Sequence, residues 1–117
     1  MTPVDSNEKD KKMATFLLVY KGGGPMPATA GEQEASMKAW MSWFGSLGAA
    51  VKDGGNPFNN SAGVGSNGTV TEGATSGLTG YSLLLADDLA AATTMTKGCP
   101  ILAHGGSVDV YEAFNVM

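Results

Sequence analysis

The side chains able to do chemistry near neutral pH are few, and their spacing already limits what they can do. His104 and Cys99 are the single histidine and the single cysteine of the chain. An imidazole activates a thiol only within hydrogen-bond reach. Cys99, however, stands before Pro100 where a helix should stop, the place of a small buried residue, while His104 falls on the link after it. One histidine and one cysteine cannot fill the three or four positions of a metal site, so no metal is expected. Asp53 in "VKDGG" and Glu72 in "TVTEG" join His104 as candidate general acids or bases. Gly63, Gly65 and Gly68 in "GVGSNG" have the G-x-G-x-x-G spacing that cradles a pyrophosphate. That chemistry needs a strand entering the first glycine and a helix leaving the last. Here "NPFNNSA" enters and the strand-favouring "TVT" leaves, so a hairpin turn is expected and no nucleotide cofactor. Tyr20, Trp40, Trp43 and Tyr81 are the expected aromatic walls of a pocket for a small organic molecule.

These residues must be held by elements that the hydrophobic pattern marks out. "MATFLLVY" over 13–20 is apolar enough for a central strand, ended by "KGGGPMP". Thr29 and Glu32 stand in the capping-box relation, which starts a helix near Ala30. Met37, Trp40, Met41, Phe44 and Leu47 then come at helical spacing as one wide stripe with Trp43 on its flank, until Gly48 ends the helix. A second strand is expected over 49–55. A small hairpin comes next over 61–65 and 69–72, turned at Ser66-Asn67-Gly68, where Asn67-Gly68 is a pair suited to the positive φ of a type I′ turn. "GYSLLLA" over 80–86 is a third buried strand. Asp87 or Asp88 caps the helix "LAAATTMTK", stopped by Gly98 and Pro100. "GGSVDVYEAF" over 105–114 alternates as a strand with one covered face.

Composition sets the class. A chain of 117 residues, 43% hydrophobic and 15% charged, is expected to form one domain over 13–117 behind a polar arm over 1–12. A net charge of −4, with seven lysines and no arginine, argues against nucleic acid. Runs such as "FLLV" and "LLLA" are far below the roughly 20 residues of a spanning helix, so no membrane role is expected. A lone cysteine suits a reducing cytoplasm.

The order strand, helix, strand, strand, helix, strand is that of a ferredoxin-like βαββαβ domain, an α+β fold with both helices on one face of an antiparallel sheet. The extra hairpin lies between the second and third of those strands. The other face would be bare and apolar, so a homodimer packed sheet against sheet is expected. The residues also resemble a known family, the YCII-related proteins with their DGPF-domain relatives. The resemblance rests on "FLLVYKGGG", "AWMSWFGSLGAAVKDGGNPF", "GYSLLLADDLAAA" and "GCPILAHGGSVDVYEAF", and covers about residues 13–114. It implies a dimeric α+β barrel with a small-molecule pocket between helix and sheet. Some members pair a histidine with an aspartate there, and one relative is a dehydrochlorinase. In this chain Met37 stands near the family's helix histidine, and Glu72-Gly73 stands where the family keeps its aspartate and glycine, so the DGPF motif is not intact. Two functions are expected from these residues. One is a small-molecule binder without catalysis; the other is an acid–base enzyme, lyase or dehydrochlorinase in kind, using Asp53, Glu72 or His104.

Overall fold

The apolar run that opens the fold forms β1 (Ala14–Lys21), and its alternation explains the rest of the architecture. The computed structural model describes residues 13–23, 29–74 and 76–114. The expected arm over 1–12 and most of the loop after β1 lie outside them. β1 is central in a four-stranded antiparallel sheet of order β2-β5-β1-β6, with β2 (Val51–Asp53), β5 (Leu78–Ala86) and β6 (Ser107–Ala113). The register sets Phe16 opposite Leu84, Leu18 opposite Ser82 and Val110, and Tyr20 opposite Gly80 and Val108. Successive strand side chains point to opposite faces. Phe16, Leu18, Tyr20, Ser82, Leu84 and Ala86 therefore form one face, and all of them are buried.

Helix α1 (Ala30–Leu47) and helix α2 (Leu89–Thr96) pack on that face, because Trp43 and Ala92 belong to the same core as Phe16, Leu18 and Leu84. Each apolar side chain buried so contributes roughly 1.5–3 kcal/mol. The capping box at α1 is complete: Thr29 Oγ1 accepts from the Glu32 N–H at 3.0 Å, and the Thr29 N–H donates to Glu32 Oε1 at 3.4 Å. Asp88 rather than Asp87 caps α2, its Oδ1 accepting from the Ala91 N–H at 2.8 Å.

Three expectations need correction. The core-facing stripe of α1 is Trp40, Trp43, Phe44 and Leu47, with Trp43 buried and the other three half-buried, whereas Met37 and Met41 are 63% and 66% exposed. At 100° per residue those four span about 100° of helix surface. The two methionines extend the same apolar arc beyond the width the sheet covers. The second strand is shorter than expected, because Gly48–Ala50 forms a 3-10 turn before β2 begins at Val51.

The third concerns the hairpin of β3 (Ala62–Val64) and β4 (Val70–Glu72), which does form, with Val64 opposite Val70. Its loop is Ser66-Asn67-Gly68, as expected, but the turn is not type I′. The Gly68 N–H donates to the Gly65 carbonyl, and Gly68 alone of the loop has positive φ, at 87°. This is the turn-plus-glycine-bulge solution, in which only one residue must be left-handed. Asn67 is spared that conformation, and its Oδ1 accepts from the Thr69 N–H at 2.9 Å instead.

Candidate functional site

Three of the four expected pocket aromatics meet on the helix side of the sheet. Trp40 packs edge-on against Tyr20 at 5.2 Å between ring centres, and Trp43 packs edge-on against Trp40 at 5.9 Å. Phe44 completes the group, 5.1 Å from Trp43. Tyr20 and Trp43 are buried, so in this group the rings fill space with one another. Tyr81 does not join them. It pairs with Val19 and so faces the other side of the sheet, where it stacks on Phe58 at 5.9 Å. Strand alternation separates it from Tyr20, whose own partner in the register is Gly80.

Tyr20 is anchored by a hydrogen-bond chain that sequence reasoning missed. Its hydroxyl donates to Ser82 Oγ at 2.6 Å, and Ser82 Oγ donates to the Gly54 carbonyl at 2.7 Å. Burial pushes the Tyr20 phenol up to about 12, against the smaller lowering effect of its bond to Ser82. Tyr20 is therefore a neutral strut that ties β1 through β5 to the loop after β2. The signal for Ser82 was a lone hydroxyl inside "YSLLLA", on the parity that faces the helices.

Among the described residues, an open space lies on the outer side of Trp43. A groove of about 510 Å³ runs between α1 and a second 3-10 turn, Pro100–His104. Ala39, Ser42, Trp43 and Ser46 line it from the helix, and Gly98, Pro100, Ala103 and His104 line it from the chain after α2. The indole N–H of Trp43 donates to the Met95 carbonyl at 3.1 Å, which fixes the ring against the end of α2. Gly98 makes room for that approach, since a Cβ there would stand 3.3 Å from Trp43 Cδ1 and Nε1.

Polar groups in the groove differ in what they have left to offer. Ser46 Oγ donates to the Trp43 carbonyl at 2.6 Å, so its remaining capacity is as an acceptor. Ser42 and His104 make no side-chain hydrogen bond to another described residue, and His104 is exposed at the end of its turn. The lining holds no carboxylate. Ala39, Ser42 and Ser46, at i, i+3 and i+7, share one helix face beside Trp43. That spacing was readable, but only the position of the 3-10 turn makes it a wall.

The remaining candidates sit apart from this groove. Asp53 is exposed at the end of β2, and its Oδ1 accepts from the Gly55 N–H at 2.8 Å, the work of a turn residue. Glu72 is exposed at the end of β4, on a hairpin whose strands contact chiefly each other. Cys99 is buried, and desolvation pushes its thiol up to about 11, so it supplies no thiolate to His104 near neutral pH. Among the described residues no group of three or more His, Cys, Asp or Glu could hold a metal ion. Gly63, Gly65 and Gly68 belong to the hairpin, with no helix after the last of them to receive a phosphate.

No family model matches this chain, and no curated protein matches it. Among the described residues, no helix is long and apolar enough to cross a membrane.

Proposed function

We propose that this chain is a small cytoplasmic binding protein of the YCII-related type, a homodimer that holds a small organic molecule on its helix layer without catalysing a reaction. The carrying observation is the groove where Trp43, His104, Ser42 and Ser46 converge among small apolar residues. Apolar walls with a few convergent polar groups are what such ligands require. The groove replaces the helix–sheet space among Tyr20, Trp40 and Trp43 as the ligand site, because those rings pack on one another. Binding is favoured over acid–base catalysis because His104 is the single ionisable group in the lining, and Asp53 and Glu72 lie outside it.

Support for the ferredoxin-like arrangement comes from the sheet order β2-β5-β1-β6 with every neighbour antiparallel. Each helix then joins two strands separated by one other, as a split βαβ unit requires. Support for the dimer comes from the sheet face opposite the helices. There the half-buried Leu17, Tyr81, Leu83 and Leu85 and the exposed Tyr111 surround a buried Val19.

A fragment screen read by amide chemical shifts tests the site. Hits are expected to move Ala39, Ser42, Gly98, Ala103 and His104 together. Hits that move only Leu17, Leu83 and their neighbours on the opposite sheet face would refute it.

A further inference from the structure

The groove's chemistry narrows its ligand class, an inference that rests on the groove being the ligand site. Its walls are Ala39, Trp43, Gly98, Pro100 and Ala103, and they offer contact area without hydrogen bonds. Beside them stand two side chains that can donate and have no described partner, the His104 imidazole and the Ser42 hydroxyl. Ser46 has already committed its proton to the Trp43 carbonyl. No carboxylate lines the groove, so a cationic ligand would find no counter-charge there. The one ionisable side chain in the lining is an imidazole, which offers an N–H donor.

From this we infer that the groove takes an apolar organic acid, its hydrocarbon body against Trp43, Pro100 and the alanines, its carboxylate accepting from His104 and Ser42. The selectivity is local. The net charge of the chain is −4, so long-range attraction does not draw anions in, and recognition comes from these two donors at contact distance. Hydrogen bonds to an ionised acceptor are the stronger kind, and here the ligand's carboxylate supplies that charge while His104 and Ser42 donate.

The test compares three probes of one shape on the full chain: 2-naphthoate, the neutral 2-naphthamide and the cationic 2-naphthylmethylamine. Amide shifts are followed in the wild type and in His104→Ala, His104→Gln and Ser42→Ala. Naphthoate is expected to move the groove residues and to bind about tenfold tighter than naphthamide, the ratio of one charge-assisted hydrogen bond at an open site. The amine is expected to bind weakest. His104→Ala should bring naphthoate and naphthamide to within about twofold, and His104→Gln should restore part of the gap by donating an N–H. Equal binding of naphthamide and naphthoate at the groove would overturn the acid preference while leaving the groove as a ligand site. Failure of all three probes to move the groove residues would overturn both.

Discussion

A serine with no exposed surface stands in the middle of an apolar strand, and its two hydrogen bonds account for it. Ser82 accepts from Tyr20 and donates to the Gly54 carbonyl, so replacing it strands the buried Tyr20 hydroxyl and the half-buried Gly54 carbonyl at once. Ser82→Ala is expected to cost about 2–3 kcal/mol in urea unfolding, because an orphaned buried donor or acceptor loses its desolvation compensation. Tyr20→Phe removes the donor along with the bond and leaves Ser82 bonded to Gly54, so its cost should be nearer 1 kcal/mol. A larger loss for Tyr20→Phe than for Ser82→Ala would contradict the direction of this chain.

The same side chain sets part of the alkaline behaviour. Tyr20 is raised from 10.0 to about 12 by burial, and Cys99 from 9.0 to about 11 by burial. Each folded pKa lies above its ordinary value, so the fold favours the neutral form. The contribution is whole below the ordinary value and is lost as pH rises through the folded one. Stability measured by urea midpoint should therefore be flat with respect to these groups up to about pH 9 and fall between about 9 and 12. Cys99→Ala should remove the lower part of that fall.

At the scale of elements, α1 depends on its first turn and β2 on the glycine loop that leads away from it. Thr29→Ala removes the accepting half of the capping box and should cost about 1 kcal/mol, seen as a lower melting temperature with helix signal otherwise retained. Gly55 has φ of 75°, and a Cβ there would run into the Tyr81 carbonyl. Gly55→Ala should therefore cost about 2–3 kcal/mol, since neither the left-handed backbone nor the main chain of β5 can yield cheaply. Circular dichroism during denaturation separates the two. A neutral Gly55→Ala would mean the loop after β2 moves more freely than its contacts with β5 suggest. The β3–β4 hairpin behaves differently. Val64 and Val70 are 72% and 67% exposed, so replacing either by threonine should change monomer stability by less than about 0.5 kcal/mol.

At the scale of the whole molecule, the proposed dimer rests on the sheet face away from the helices, where Leu17 and Leu83 are half-buried and Tyr111 is exposed. Leu17 and Leu83 sit opposite each other in the register on the side away from the helices, with Tyr111 next to Leu17. Sedimentation at micromolar concentration is expected to find a dimer, and Leu83→Asp to give a folded monomer. A wild type that sediments strictly as a monomer would remove the sheet-on-sheet assembly and leave the groove reading untouched.

Both helices, the central strands, the capping box and the hairpin were legible in the chain alone, because each is set by local rules of period, cap and turn residue. Periodicity placed Trp40, Phe44 and Leu47 inward but put Met37 and Met41 in the stripe and Trp43 on its flank, because an apolar arc wider than the sheet's contact does not say which of its edges is covered. Strand parity, in turn, was available for Tyr20 and Tyr81. It became a separation into opposite faces only when the register with β1 fixed which residue of β5 stands beside which.

What the sequence by itself determined is the inventory: one histidine, one cysteine, and elements in an order that makes an α+β sheet. Tertiary packing alone decided what His104 sits beside. Its neighbours Ser42, Trp43 and Ser46 lie some sixty residues earlier in the chain. They meet it because Trp43 docks on the end of α2 and Gly98 leaves room for the ring. No local propensity encodes a contact across that separation.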